Sequence, residues 1–403
     1  MALKRSYLRL RGARPGLVLF LVAVACLGLG NGIFQTTFNN YLSDTFDITA
    51  AQRGSLELPR EMPGFLTALF AGMLFFMAET HVGALCALAT MAGMFVVGIA
   101  GDSWYLMMVG MIGWSTGNHL VMPIRRSIAM QLAHENAKGR RLGQVGAVAL
   151  AATIGGCIIV WIGMKYLHFH YGTVFLYGAV AALLAVPAFA AMPKHVTQLV
   201  RPKFVMRRRY WLYYVLCSLF GARKQVFLTF APWVLVRIFH QEAYVFAQLW
   251  IISAVIGIFV QPLLGNLIDR IGERAILVSD ALILMVITFA YGHLPPGGGI
   301  SRLAILACYV VDQIAFSLGM ARDTYLSKIA ERPEDVAPTL SLGISIDHLI
   351  SMSLPWLGGW IWDTYGYAMV FTGAGFVAIL MLIFSAMLKT TAPVTSSRQP
   401  SSQ

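Results

Sequence analysis

The chain has 403 residues, of which 58% are hydrophobic and 12% are charged, and its formal net charge is +12. Soluble domains usually carry about 25% charged residues, so this composition excludes an ordinary soluble protein. The apolar residues form long stretches from about residue 16 to about residue 388, with short polar breaks between them. The pattern predicts an integral membrane protein.

Twelve of these stretches approach the roughly 20 residues that a helix needs to cross a bilayer. Barrel strands would instead appear as segments of about ten residues with alternating polarity, so we predict an all-α membrane fold. The spans are placed near residues 16–41, 52–78, 83–100, 103–133, 142–166, 170–192, 210–237, 243–268, 275–293, 302–329, 337–361 and 367–388.

Basic residues are concentrated in two polar segments of the chain. Residues 1–14 hold five Lys or Arg, residues 193–209 hold six, and neither segment contains an acid. The positive-inside rule then predicts a multi-pass protein of the cell (inner) membrane with both termini in the cytoplasm. The net positive charge is explained by this topology and by contact with membrane lipid, so we expect no nucleic-acid partner.

The second basic segment divides the spans into two sets of six. We predict an N-terminal six-helix bundle at 1–192, a cytoplasmic linker at 193–209, a C-terminal bundle at 210–388 and a disordered tail at 389–403. The run at 123–133 in span four aligns with the run at 320–330 in span ten, which indicates an internal repeat. Two pseudo-symmetric six-helix bundles with a site between them are common among transporters.

The polar break after span eight has the sequence GNLIDRIGER, at residues 265–274. It resembles the signature loop of the major facilitator superfamily, G-x-x-x-D-[RK]-x-G-x-[RK]. Together with the twelve-span layout, the resemblance covers nearly the whole chain and implies a secondary transporter. That family usually carries the motif between spans two and three as well, and here only an acid and a glycine survive there, within residues 77–83.

The resemblance implies a gating role for the motif. Asp269 would pair with basic groups or a helix N-terminus at the cytoplasmic face, and Gly265 would allow helices to approach closely. An ordinary positive-inside turn is the alternative. The predicted gating residues of the motif are Gly265, Asp269, Arg270, Gly272 and Arg274.

Two further sets of charged residues lie toward the cytoplasmic ends of spans four and ten. Arg125 and Arg126 occupy places equivalent to Arg322 and Asp323 in the aligned runs. We predict that they close an inner gate, and direct contact with the substrate is the alternative.

A second resemblance concerns PWLGG at residues 355–359 in span eleven. It is similar to the P-x-x-G-G part of a motif that antiporters of the superfamily carry in span five. Packing of helices through small residues explains it equally well.

Charged residues inside apolar spans are candidates for the substrate site, because a charge at the bilayer centre costs at least about 2.5–3.5 kcal/mol. Arg223 and Lys224 lie near the middle of span seven, Asp312 lies in span ten, and Asp347 and His348 lie in span eleven. Two adjacent cations would suit an anionic solute. Mutual neutralisation by Asp312 or Asp347 is an equal alternative.

The N-terminal half supplies a second set of candidates. Asn31 and Gln35 belong to a polar stripe on span one, which could line a cavity. In span two, Arg60 is either held by neighbouring acids or lies beside Glu61 acting as a proton carrier. His119 in span four is either a packing residue or a group that titrates near neutral pH.

Together these features predict a secondary transporter that moves a small solute, such as an organic anion, by alternating access. Coupling to protons is a hypothesis based on the intramembrane acids. The chain lacks a phosphate-binding loop of G-x-x-x-x-G-K-[ST] type, and we expect no enzyme activity, cofactor or metal site. We expect a monomer. A drug or metabolite:proton antiporter is the main alternative, followed by a transporter-like sensor or a membrane-embedded enzyme.

Overall fold

The computed structural model describes residues 2–67, 77–133, 138–193 and 206–389, and these residues form helices and turns with no strand among them. The helices of the N-terminal half are α1 (Ala2–Phe46), α2 (Ala50–Ser55), α3 (Glu57–Phe65), α4 (Glu79–Ile99), α5 (Trp104–Gln131), α6 (Lys138–Lys165) and α7 (Tyr171–Ala190). Those of the C-terminal half are α8 (Trp211–Arg237), α9 (Ala243–His293), α10 (Gly299–Ala315), α11 (Met320–Ile329), α12 (Pro333–Tyr365) and α13 (Tyr367–Ala386).

The all-α membrane fold is confirmed. Nine helical segments of the described chain are long and apolar enough to cross a membrane. Helices α5 and α8 are also long enough, with 28 and 27 residues, but they contain more polar side chains. The second predicted span begins with α2 and α3. Its remainder includes residues 68–76, and these nine positions lie outside the described residues. The helices are therefore consistent with twelve spans.

Several element boundaries differ from the sequence-based ones. Helix α9 runs through both predicted spans eight and nine, and its course is broken only at Gly272, where φ is 82° and ψ is 162°. Only glycine adopts this backbone conformation readily, so Gly272 is the turn between the two spans. Span ten is divided into α10 and α11 by a 3₁₀ turn at Phe316–Gly319.

The predicted domain boundaries remain predictions. Residues 194–205 of the basic linker and the predicted tail from residue 390 lie outside the described residues, as do the basic side chains of residues 4–14. The described part of the linker is attached to the C-terminal half, because Arg207 Nε lies 2.8 Å from Asp335 Oδ2 near the start of α12.

The two ends of the bundle carry different loops, which distinguish a linker end from a far end. The linker end carries residues 206–210 and Gly272, and the far end carries the turns after α1 and α8. At the far end the Asp363 carboxylate accepts hydrogen bonds from the backbone N–H groups of Ala50, at 3.1 Å, and Ala51, at 3.0 Å. Arg237 also pairs with Asp47 there. Both contacts join one half to the other.

Two glycines allow α2 and α12 to pack closely at the far end. A Cβ atom on Gly54 would lie 2.0 Å from the carbonyl oxygen of Pro355, and one on Gly359 would lie 2.3 Å from that of Ala50. A Cβ on Gly358 would meet the Phe230 ring at 2.5 Å. Close packing therefore accounts for the glycines of the PWLGG run. The far end is closed in this structure.

Candidate functional site

Glu57 is the centre of a buried polar cluster on α2, α3 and α8. Its carboxylate accepts hydrogen bonds from Arg53 Nη1 at 2.5 Å, Arg60 Nε at 2.8 Å and Gln225 Nε2 at 2.5 Å. Arg53 Nε also donates to Asn39 Oδ1 at 2.9 Å. Because Gln225 belongs to the C-terminal half, the cluster joins the two halves.

The local sequence places these charged groups on a broken helix. A capping box between Thr49 and Gln52 begins α2, and the chain turns at Leu56 before α3 begins at Glu57. A capping box satisfies the free N–H groups of a first helical turn. The two short helices therefore direct Arg53, Glu57 and Arg60 inward from the far end.

Glu61 lies one turn further along α3 and meets two histidines. Its Oε2 atom is 3.1 Å from His348 Nδ1 and 3.8 Å from His119 Nε2. Its other oxygen is 3.4 Å from Arg60 Nη2. A Cβ on Gly64 would lie 2.6 Å from both imidazole rings, so the glycine makes room for them. The structure thus brings four of the predicted site residues together.

The two cations in the middle of span seven each have an acidic partner. Arg223 Nη2 lies 3.0 Å from Asp312 Oδ1 and 3.4 Å from Asp280 Oδ1. Lys224 Nζ lies 2.7 Å from Asp347 Oδ2. Adjacent side chains on a helix point in different directions, which explains the separate pairs. This is the neutralisation that the sequence left open, and a role of the pair in substrate binding stays a prediction.

Asp280 on α9 was not among the predicted site residues. It is fully buried, and neither of its carboxylate oxygens has a hydrogen-bond partner in the described structure. The signal was present, because an acid inside an apolar span is a candidate functional group by itself. Gln225 also lies outside the predicted set, although it follows directly after the two cations.

The predicted polar stripe on α1 is only partly engaged. Asn31 and Gln35 are half-buried, and neither forms a hydrogen bond within the described part of the chain. One further turn along, Asn39 contacts Arg53. The expectation that Asn31 and Gln35 line a cavity stays a prediction.

In the signature motif the acid that forms an ion pair is Glu273, whereas the sequence indicates Asp269. Glu273, directly after the Gly272 turn, is buried and lies 2.6 Å from Lys328 Nζ on α11. Asp269, Arg270 and Arg274 are exposed, and Asp269 has no ion pair among the described residues. The gating role of the motif, including that of Gly265, stays a prediction.

The N-terminal half repeats the contact that Glu273 makes. Glu79, the acid that survives from the first copy of the motif, accepts hydrogen bonds from Ser127 Oγ at 2.7 Å and Gln131 Nε2 at 2.6 Å. Gln131 and Lys328 occupy equivalent places in the aligned runs. The internal repeat that the sequence indicates is therefore seen in two equivalent contacts, Gln131 with Glu79 and Lys328 with Glu273.

The charged residues predicted to form an inner gate differ in burial. Arg125 is half-buried, whereas Arg126 and Asp323 are exposed. The guanidinium of Arg322 lies over the Phe220 ring at 4.4 Å, and its Nε and Nη1 atoms are buried without a hydrogen-bond partner in the described structure. Its Nε is 3.5 Å from Asp323 Oδ1. Arg322 is thus a stacked cation that is incompletely paired.

Two helical halves with buried ionisable groups between them are typical of membrane transport proteins. The model of the Major Facilitator Superfamily matches residues 20–341. The chain belongs to this family.

Solved transporters share the fold over nearly the full length. The nucleoside transporter NupG has a TM-score of 0.75 and 13% identity, covering 94% of this chain and 100% of its own. A D-xylose-proton symporter has a TM-score of 0.70 and 14% identity, covering 91% of this chain and 96% of its own. A bacterial homolog of the human lysosomal transporter Spinster, in an inward-facing conformation, has a TM-score of 0.70 and 13% identity, covering 93% of this chain and 96% of its own. At these identities the likeness shows the fold alone. No curated protein sequence matches the chain.

Proposed function

We propose that this protein is a secondary active transporter that moves a small organic anion by alternating access, coupled to protons. The observation that carries the proposal is the set of buried and partly buried ion pairs at mid-depth, around Glu57 in the N-terminal half and around Arg223 and Lys224 in the C-terminal half. Intramembrane ionisable groups are costly and mark substrate or proton paths. With basic residues at 207–209, the linker end is assigned to the cytoplasm.

The contacts between halves suit a rocking motion. The described cross-half hydrogen bonds and ion pairs lie at the far end and at mid-depth, as between Asp363 and α2 and between Gln225 and Glu57. Near the linker end the contacts of the buried acids do not cross between the halves. Glu79 binds a partner within the N-terminal half, and Glu273 binds one within the C-terminal half. This distribution is that of a transporter closed on one side.

The anionic character of the solute rests on Arg322 rather than on Arg223 and Lys224, which are paired. Two nitrogens of Arg322 lack hydrogen-bond partners, and the ring of Phe220 supports the guanidinium. A guanidinium can bind a carboxylate or phosphate through two hydrogen bonds. Arg125, half-buried toward the same end of the opposite half, adds a second positive charge.

The proton is assigned to the pair of acids beside Arg223. Asp280 and Asp312 share one guanidinium, so two carboxylates face one positive charge in a buried setting. An ionised carboxylate without hydrogen bonds is costly to bury, so we assign the proton to Asp280 in the far-end-closed state. The other titratable groups near Asp312 are Tyr291, Tyr309 and Cys308.

Flux measurements in proteoliposomes test this function. Purified protein would be supplied with radiolabelled carboxylates, phosphate esters, sugars and nucleosides, with and without an imposed pH gradient. We expect saturable flux of one anionic class that the gradient stimulates and a protonophore abolishes. Arg322→Gln should remove it, whereas the exposed Arg302→Gln should serve as the matched control. Binding without flux would indicate a sensor, and flux of neutral solutes alone would contradict the anion assignment.

A further inference from the structure

Three side chains from three spans converge on one point between the halves. Glu61 of α3, His119 of α5 and His348 of α12 each offer a ligand atom, and these atoms lie within 4.8 Å of one another. Zinc bonds to nitrogen and oxygen are about 2.0–2.2 Å long, which places tetrahedral ligand atoms about 3.4 Å apart. The separations from Glu61 Oε2, 3.1 Å to His348 and 3.8 Å to His119, lie on either side of that value.

Hydrogen bonds fix the orientation of His119. Its Nδ1 is 3.0 Å from the carbonyl oxygen of Ser115, which can only accept, so Nδ1 carries the hydrogen. The Ser115 hydroxyl donates to the carbonyl oxygen of Arg60, so toward the imidazole it too is an acceptor. A neutral imidazole held in this way presents the lone pair of Nε2 to the Glu61 carboxylate.

A lone pair and a carboxylate that face each other at 3.8 Å repel unless a proton or a metal ion lies between them. The separation is too long for a hydrogen bond but suits two ligands of one metal ion. Metal-binding histidines commonly donate their second ring N–H to a backbone carbonyl, as His119 does to Ser115.

The surrounding charges leave Glu61 as the acid available to a cation. Arg60 Nη2 lies 3.4 Å from the other oxygen of Glu61, but its shorter contact is to Glu57 at 2.6 Å, and Lys224 is paired with Asp347. A dication would make the neighbourhood positive, which an anionic fourth ligand such as hydroxide would offset. Two imidazoles and one carboxylate favour zinc and other first-row transition metals over calcium or magnesium.

We propose that Glu61, His119 and His348 bind a first-row transition-metal dication, of which Zn²⁺ is the representative ion. Glu61 and His119 belong to the N-terminal half and His348 to the C-terminal half, so the ion ties the halves together in the far-end-closed state. The site does not depend on the solute, the coupling ion or the direction of transport.

Metal titration of the purified full-length protein in detergent tests the proposal, with Zn²⁺ or Co²⁺ alone and no solute. We expect one ion per chain by calorimetry and visible absorption bands of tetrahedral Co²⁺. His119→Gln and His348→Gln should each weaken binding at least about tenfold, since losing only a group that hydrogen-bonds to a metal ligand already has an effect of that size. The matched control is His293→Gln, because His293 lies outside the site at the far end and contacts Phe289.

A second variant keeps the test decisive if a ligand substitution impairs folding. Ser115→Ala removes the hydroxyl beside His119 but leaves all three ligands, and it should weaken Zn²⁺ binding. Zn²⁺ should also raise the melting temperature of the wild type and not that of His348→Gln.

Equal binding by the wild type and both histidine variants, or no binding by the wild type, would overturn the proposal. None of these measurements needs flux. If the ion binds but no solute is transported, the metal site stands and the transport proposal fails. If a solute is transported but no ion binds, the transport proposal stands and the metal site fails.

Discussion

His348 Nδ1 lies 3.1 Å from Glu61 Oε2, and this contact joins α12 of the C-terminal half to α3 of the N-terminal half at mid-depth. A second polar contact between the halves, from Gln225 to Glu57, lies nearby at 2.5 Å. Toward the far end the halves also meet through closely packed glycines, in addition to the Arg237–Asp47 ion pair and the Asp363 hydrogen bonds to backbone N–H groups. The polar middle and the tightly packed end should therefore respond differently to substitution.

Enlarging Gly54 should open the far end. Its Cβ in Gly54→Ala would lie 2.0 Å from the carbonyl oxygen of Pro355, so α2 and α12 must separate. Spin labels on exposed Ser55 and Thr364, in a background without the native cysteines, should report a longer distance. Gly155→Ala is the control, because nothing lies within 4 Å of its added atom. An unchanged distance in Gly54→Ala would show that this packing does not hold the end closed.

Lys224 and Asp347 should behave as a coupled pair. Lys224→Met alone leaves a partly buried acid unpaired and should lower thermal stability, whereas adding Asp347→Leu should restore much of it. The coupling energy from the double-mutant cycle should be about 0.5–3 kcal/mol. Additive effects of the two substitutions would mean that the 2.7 Å contact contributes little.

Glu273 and Asp269 should differ in their structural importance. Glu273→Gln weakens a buried contact with Lys328 and should lower the melting temperature, whereas Asp269→Asn changes an exposed group and should not. The gating hypothesis predicts in addition that Asp269→Asn slows transport while solute binding is kept. Normal transport by Asp269→Asn would remove this residue from the gate and leave Glu273 as the acid of the motif that matters.

Replacing the titratable carboxyl group of Asp280 should remove a pH response. If Asp280 holds a proton in the far-end-closed state and loses it when that end opens, acid favours closure and alkali favours opening. Asp280→Asn mimics the protonated acid, so its far-end distance should stay short as the pH rises. A variant that still opens with rising pH, as the wild type is expected to do, would place the proton elsewhere.

The sequence predicts the class of fold well and the site only in part. Hydropathy and the GNLIDRIGER motif suffice for a helical membrane protein of this family, because the bilayer dictates the length and polarity of each span. The cost of burying charge singles out Arg223, Lys224, Asp312 and Asp347 as candidate site residues or partners of one another, but not which acid meets which cation.

The remaining contacts depend on which spans are neighbours. Asp280 joins Arg223 because α9 passes α8 at that depth, and His119 meets His348 because α5 and α12 approach the same face of α3. Such contacts between halves belong to one conformation of the bundle, and sequence spacing carries no record of them. The sequence marks Gly272 as a glycine of the motif, but its positive φ follows only from the course of the backbone.

Distances between paired spin labels at both ends test alternating access most directly. Tyr105 and Ile300 are exposed at the far end, and Met130 and Ser327 are exposed at aligned places near the linker end. In membrane discs, as pH and solute are varied, alternating access requires the far-end pair to separate when the linker-end pair approaches. Two distances that change together, or not at all, would contradict it.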